Sequence, residues 1–408
     1  MPIASLARRT APALFLLVMV ALLPGFATST ERPELIYHHA WQLVRDNFYD
    51  TRFNGQSWSS WEHRYDGTLK TREQAYKAVK TMISSLNDPY TRVLDPDSYK
   101  DEMTLIDSKL VGIGITMDAD EDGRMFIAET IDGGPAARSG LKVGDELVAV
   151  NGQSLEGLSI EQAGQKIGGR AGTRVLIGVN RKNVPYSFNV KRQKLVLHSV
   201  SYKALDSNIG YISISNFLFD DAARDFKTAL RKLAKTSGLI IDLRHNPGGL
   251  IGNAIEMADM LLPGGRIVTT IDRHERETDV ASGSPVSRQP VVLLVDKDSA
   301  SASEILAGAL KDNGRATIVG ARTFGKGLVQ EIDPLPGGGG MHLTVARYLS
   351  PKGAEINKVG IMPDVLAPGD EDAQLATAVN LLKQTIAQGA GNRLSQAVRY
   401  GAGTKGRT

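Results

Sequence analysis

From residue 207 to residue 319 the chain changes its hydrophobic period repeatedly. Residues 209–214 read as a strand. Residues 220–234 set Ala223, Phe226, Leu230 and Leu233 on one helical face. Residues 238–243 are an apolar strand carrying Asp242, and the turn His245-Asn246-Pro247-Gly248-Gly249 leads into a helix over 251–262. The charged, Ser- and Gly-containing stretch over 271–289 reads as a surface loop. A second apolar strand follows at 290–295, then a helix over 301–310, then a strand at 316–319. Strand and helix in regular alternation imply a sheet built from βαβ units with helices covering it. Ligand sites in such sheets collect at the C-terminal ends of the strands. Asn246–Gly249 and Ser301 both fall on that edge.

The chemistry-bearing residues gather there. Ser299, Ser301 and Ser303 stand at a strand-to-helix turn, and Lys326 follows between Gly325 and Gly327. A serine hydroxyl needs a base to become nucleophilic, and a neutral lysine can serve as one. Burial depresses a lysine pKa by roughly 3–5 units at most, towards neutrality. A helix N-terminus offers free N–H groups and a positive dipole end to developing negative charge. The same letters have plainer meanings. Ser301-x-x-Glu304 spells a capping box, Ser299 suits an N-cap, and a lysine in a glycine-rich loop is commonly solvated. Gly320 to Lys326 also fits the G-x-x-x-x-G-K of a phosphate-binding loop. That motif requires Ser or Thr next and then a helix. Here Gly327 follows, and residues 328–332 read as a strand.

The run SASASEILAGALKDNGRA with TFGKGLVQ resembles the active-site region of the carboxyl-terminal processing proteases, a family of Ser/Lys endopeptidases. The resemblance implies Ser301 as nucleophile and Lys326 as general base. It implies Gln330 as the residue that orients the lysine and Asp312 as an acidic support. The DLRxNxGG pattern around Asn246 implies an oxyanion hole from the N–H groups of Gly248 and Ala302, with Gly249 as the alternative to Gly248. His245 is read as a solvated turn residue. The fold implied is a multidomain α/β protein: a ClpP/crotonase-like α/β protease core, an embedded PDZ-like β domain and an N-terminal helical module.

Two further segments extend the resemblance. FNGQSW and NDPYTRVLDP, within a mainly helical stretch over 28–107, match the family's N-terminal region, and especially its cyanobacterial and chloroplast D1-processing members. One face of the first helix is read as Leu35, His39, Val44 and Phe48. Residues 108–195 carry GPAARSGL and GDELVAVNG between short strands and resemble a PDZ domain. Such domains bind a peptide C-terminus by adding a strand to a sheet edge. The implied carboxylate loop is Val111-Gly112-Ile113-Gly114. The core spans 196–366, and a helix with a basic tail, frayed beyond residue 389, fills 367–408.

Composition narrows the rest. Net charge is +3, which gives no reason to expect nucleic acid as a partner. The chain has no cysteine, which excludes disulfides and thiolate metal sites. No H-E-x-x-H or G-x-S-x-G occurs, and no metal or organic cofactor is implied. Arg8 and Arg9 precede an apolar run over 11–23, followed by small residues, as in a signal peptide removed after Ala27. The expectation is an exported protein of a periplasm or thylakoid lumen, with no membrane span after cleavage. It would be a serine endopeptidase acting on protein substrates with free C-termini, such as the photosystem II D1 precursor. Other readings are a general tail-specific, quality-control or cell-wall-linked protease, and a non-catalytic PDZ peptide-binding module.

Overall fold

The structure is a computed structural model. It describes residues 32–106, 111–131, 133–195, 198–206 and 208–401. The leader expected over 1–27 lies outside the described residues.

The N-terminal module begins with α1 (Pro33–Asn47), where Pro33 takes the first helical turn without losing a needed N–H bond. Its buried face is Ile36, Tyr37, Ala40, Trp41 and Val44. The face is therefore rotated from the expected one: Leu35 is 53% exposed, because the larger Tyr37 and Trp41 take the core. Trp41 and Trp58 each donate an indole N–H to the other's carbonyl at 3.1 Å, so neither ring buries an unmet donor. Helix α2 (Arg72–Ser84) is capped by Thr71, whose hydroxyl accepts from the Gln74 N–H. A strand β1 (Arg92–Leu94) and a helix α3 (Pro96–Ile106) complete the module. β1 is too short to leave a periodic trace in the sequence.

The second unit has strands β2 (Val111–Gly112), β3 (Ile115–Ala119) and β4 (Met125–Thr130), then helix α4 (Pro135–Ser139). It continues through β5 (Glu146–Val150), β6 (Gln153–Ser154), α5 (Ile160–Ile167), β7 (Arg174–Arg181), β8 (Val184–Lys191) and β9 (Gln193–Lys194). The sheet order is β3-β4-β5-β7-β8, so β3 is an edge strand. Helix α5 opens on a complete Ser159/Gln162 capping box. Ile113, Ile127, Leu147, Ala163 and Ile177 belong to this unit's own core.

The third unit runs β10 (Val200–Leu205), β11 (Ile209–Ile214), α6 (Ala222–Lys232), β12 (Gly238–Asp242), α7 (Ile251–Asp259), β13 (Arg266–Asp272), β14 (Arg276–Val280) and β15 (Val291–Val295). Then come α8 (Ala302–Asp312), β16 (Ala316–Gly320), β17 (Leu328–Pro334), β18 (Gly340–Leu349), β19 (Val365–Leu366) and α9 (Glu371–Gly401). The main sheet is ordered β10-β11-β12-β15-β16-β19 and is parallel except for β10. Alternate residues point to opposite faces. Leu239, Ile241, Leu293 and Val295 pack with α6, α7 and α8, whereas Ile240, Val292 and Leu294 pack with Ala378 and Leu382 of α9. This two-sided cover explains why β12 and β15 are apolar at every position but Asp242.

Two expectations need correction. Residues 271–289 are not all surface loop: Arg276–Val280 forms β14, paired antiparallel with β13. Its mostly exposed, polar side chains hid it, since an edge strand needs no apolar face. The C-terminal helix does not end near residue 388 but runs to Gly401.

A second sheet, β1-β18-β13-β14 with β17 on β18, joins the helical module to the core. Leu335, Met341 and Leu343 belong to the same apolar cluster as Trp41, Val79 and Met82. Asp88, before β1, accepts from Thr91 Oγ1 at 2.6 Å and from Thr344 Oγ1 of β18 at 2.5 Å. The module is therefore locked to the hairpin that carries Lys326 and Gln330.

Candidate active site

A cleft of about 430 Å³ opens at the C-terminal edge of the main sheet and is lined by Ser301, Lys326, Gln330, Gly248 and Gly249, among others. The three serines part company here. Ser299 and Ser303 are fully buried and spend their hydroxyls on backbone carbonyls, of Leu243 at 2.8 Å and Asn246 at 3.0 Å. Ser301 alone of the three lines the cleft. Its backbone has φ 55° and ψ −116°, a strained conformation for a residue with a Cβ. The turn from loop to α8 imposes this, and it places Ser301 at the mouth of the helix.

Glu304 ties the site together. It is completely buried, and its carboxylate accepts four hydrogen bonds. Oε2 takes the N–H of Ser301 at 2.9 Å and that of Lys326 at 2.8 Å. Oε1 takes the N–H of Gly325 at 2.7 Å and the Thr323 hydroxyl at 2.5 Å. The backbones of Ser301 and Lys326 thus meet at one oxygen atom. Burial pushes the Glu304 carboxyl up, and the hydrogen bonds pull it back. The same bonds dispose of the phosphate-loop reading. The N–H groups of Gly325 and Lys326, which would cradle a phosphate, already hold this internal carboxylate, and β17 follows the loop instead of a helix.

The surroundings of Lys326 disfavour its charged form. Burial lowers its pKa, the Arg92 cation pushes the same way, and Asp88 and Glu304 oppose them. Its Nζ lies 4.9 Å from the centroid of the Tyr90 ring, within cation–π range. Among the described residues no hydrogen bond joins this amine to Ser301. Beneath the pair, the fully buried Tyr348 donates its hydroxyl to the Lys326 carbonyl.

The glycine turn sits beside the serine. A Cβ on Gly248 would lie 2.8 Å from Ser301 Cβ and 3.0 Å from the Ala302 nitrogen, and φ there is 99°. Glycine is required on both counts. Asn246 is fully buried and fixes this turn. Its Nδ2 donates to the Ile214 carbonyl at 2.7 Å, its carbonyl accepts from the Ala300 N–H at 3.0 Å, and its Oδ1 accepts from the Gly248 N–H at 2.9 Å. The Gly248 N–H is thereby occupied. Among the described residues nothing accepts from the N–H of Gly249 or of Ala302.

Other expected residues divide. Gln330 lines the cleft, and among the described residues its buried Nε2 has no partner. Asp312 does not reach the cleft. It stands at the far end of α8, eleven residues and so about 16 Å of helix from Ser301. There it accepts from the Ser350 hydroxyl at 2.6 Å and the Lys352 N–H at 3.1 Å. His245 is exposed and lies among Asp296, Asp298 and Glu371, outside the cleft. In the second unit, Gly114 has φ 79°, and its carbonyl accepts from the Ile131 N–H at 3.0 Å. Ile113 is buried, and its carbonyl accepts from Ala136 at 2.8 Å. These bonds pin the Val111–Gly114 turn at the start of the edge strand β3. Among the described residues no group accepts from the N–H of Ile113 or Gly114.

Glu304 and Asn246 were missed as site residues. Glu304 reads in sequence as a cap, and the clue to more was a carboxylate in an otherwise apolar, small-residue helix. Asn246 sits openly in the Asn-Pro-Gly-Gly turn, but its bonds run to residues 32 and 54 positions away, which no local pattern shows.

Comparison with known proteins accords with this geometry. The chain matches Peptidase family S41 over residues 208–367, a PDZ domain over 102–180 and the Tricorn protease C1 domain over 29–72. It is 36% identical over 366 residues to the carboxyl-terminal-processing protease of Synechocystis sp., covering 86% of this chain and 85% of the relative. It is 36% identical over 375 residues to the chloroplastic carboxyl-terminal-processing peptidase 3 of Arabidopsis thaliana, covering 85% and 71%. Among solved structures it resembles a photosystem II D1 C-terminal processing protease, with TM-score 0.57 and 31% identity over 85% of this chain and 97% of the other. The chain belongs to the carboxyl-terminal-processing proteases of peptidase family S41 and is a serine-type peptidase with a PDZ domain.

Proposed function

We propose that Ser301 is the nucleophile and Lys326 its general base, in an endopeptidase that selects substrates by their C-termini. The observation that carries this reading is Glu304, which draws the Ser301 and Lys326 backbones to one carboxylate oxygen. Neutral Lys326 takes the Ser301 proton as the hydroxyl attacks the scissile carbonyl. The ammonium then returns the proton to the leaving amine, and water repeats the cycle on the acyl-enzyme. The Ala302 N–H and one from the Gly248-Gly249 turn receive the oxyanion, each worth roughly 3–4 kcal/mol. Gly249 is favoured over Gly248, whose N–H is already bonded to Asn246. Gln330, with a buried Nε2 free to engage, orients the amine or the substrate. Asp312 acts through the fold alone. In the described arrangement Lys326 rests against Tyr90, so a short side-chain swing precedes catalysis.

The edge strand β3 and the Val111-Gly112-Ile113-Gly114 turn hold the substrate's C-terminus by strand addition, with the carboxylate on backbone N–H groups. The substrates are proteins with free C-termini. One structural relative is a photosystem II D1 C-terminal processing protease, which makes the D1 precursor a first candidate. Among the described residues no helix is long and apolar enough to cross a membrane. Removal of residues 1–27 on export, into a periplasm or thylakoid lumen, fits chloroplastic and cyanobacterial relatives. Mass spectrometry of candidate substrates with wild type, Ser301→Ala and Lys326→Ala tests the reading. A shortened product from wild type alone is expected. Processing by either variant refutes the pair.

A further inference from the structure

Beyond the two residues of the pair, a charged cluster that the reaction as described leaves unused contributes two residues to the wall of the cleft. Arg92 and His342 are directly opposite each other on β1 and β18. Arg92 Nη2 lies 3.1 Å from His342 Nε2 and 3.2 and 3.3 Å from the two carboxylate oxygens of Glu102 on α3. His342 Nε2 is also 2.8 Å from Glu102 Oε1. Glu102 and His342 line the same cleft as Lys326. Tyr90, two residues before Arg92 on the same chain segment, carries the ring over which the lysine amine rests.

We propose that Arg92 is a positioning residue for the reaction: anchored by Glu102 and set opposite His342, its guanidinium fixes a permanent positive charge behind the wall of the cleft that Lys326 lines, so that the amine stands neutral when it must accept the Ser301 proton. This rests on the Ser301/Lys326 reading. A guanidinium keeps its charge throughout the working pH range, and a second cation near a lysine is an established means of activating it. The other groups facing the amine are Asp88 ahead of β1, Glu304 on α8, and the Tyr90 and Tyr348 phenols. The two carboxylates favour the charged amine, and so does the Tyr90 ring. Burial lowers the lysine pKa most, and the Arg92 cation is the second cause acting in that direction. His342 is an unsuitable substitute because burial holds its imidazole towards the neutral form. The Arg92 side chain is 55% exposed, so water weakens its field in the free enzyme.

The experiment is the pH profile of kcat/KM on a peptide with a free C-terminal carboxylate, for wild type, Arg92→Gln, Arg92→Lys and His342→Gln. Loss of the cation raises the pH at which Lys326 becomes neutral. Arg92→Gln therefore moves the acid limb to higher pH, costs about tenfold at neutral pH and recovers at alkaline pH. Arg92→Lys keeps the wild-type limb. A uniform loss at every pH, no change, or failure of Arg92→Lys to restore the limb overturns the proposal. So does a His342→Gln limb displaced as far as that of Arg92→Gln. Ser301→Ala and Lys326→Ala, run alongside, separate the two ideas: activity in either one breaks the catalytic pair itself, whereas inactivity in both leaves Arg92 to be judged on its own limb.

Discussion

At its N-terminal end α8 carries Ser301 in a strained backbone, an Ala302 N–H with no acceptor among the described residues, and a glycine turn pressed against both. At its C-terminal end it carries Asp312, whose carboxylate takes two donors and closes a loop. Both ends use polar residues that the family resemblance assigned to one site. Only the first end holds strain, an open donor and a cleft, which are costs that a purely structural helix end would avoid. The second end has every feature of a latch. Unmet groups, more than polar character, separate machinery from scaffold here.

The comparison breaks first at Ser301. Ser301→Ala is expected to lower kcat by roughly 10⁴-fold or more, with little change in stability. Ser303→Ala should do the opposite, because its hydroxyl is bonded to the Asn246 carbonyl in the core. Its loss removes one of the two donors to that carbonyl, which keeps the Ala300 N–H, and costs about 1 kcal/mol. Steady-state kinetics and urea melts on the two variants, two residues apart, would show whether position or residue type matters. Equal activity losses would undo the distinction.

Glu304→Gln sharpens it. Glutamine presents one acceptor oxygen where the carboxylate presents two. One pair of donors, either Ser301 with Lys326 or Gly325 with Thr323, then faces an NH₂ group. Each unmet buried donor costs about 1–3 kcal/mol. Misplacing the lysine loop by as little as 1 Å costs about 10² in kcat. A hundredfold loss with KM nearly unchanged is the expected result. A variant with wild-type kcat would show that the shared oxygen is not what aligns the pair.

Lys326 also bears on stability. Its folded pKa is depressed by burial, so the unfolded chain binds that proton more readily. Stability from this group therefore rises with pH, from the lowered folded value up to the ordinary lysine value, and is poorest on the acid side of that window. Lys326→Met removes the burden. The inactive variant should melt higher than wild type at neutral pH, with the gap closing as pH rises. A lower melting temperature would mean that the amine is satisfied in the fold and not poised.

How much of this was legible beforehand follows from the range of each interaction. The alternation from β11 to β16 is local and could be read, as could the glycine turn and the serine cluster at the head of α8. The register of β1 on β18 was invisible: three residues pair with a strand about 250 positions away, and nothing in Arg92-Val93-Leu94 announces it. The polar edge strand β14 hid for the opposite reason, having no apolar face to display. Asp312 shows the limit of resemblance. A motif fixes which residue occurs, but eleven residues of helix decide how far it sits from the chemistry.

Asp312 therefore provides the mildest test. Both donors reach the same oxygen, Oδ2, so asparagine keeps an acceptor for both but gives up the charge that strengthens the bonds, a loss of about 1–2 kcal/mol. Against that, a carboxylate at a helix C-terminus opposes the helix dipole, and its neutralisation returns about 0.3–1 kcal/mol. The bond terms win, but narrowly. Asp312→Asn should lose about 1 kcal/mol of stability in a urea melt and leave the pH profile of kcat/KM where it was. If the acid limb moves instead, charge at the distant end of α8 reaches Lys326, and the two ends of the helix are one device.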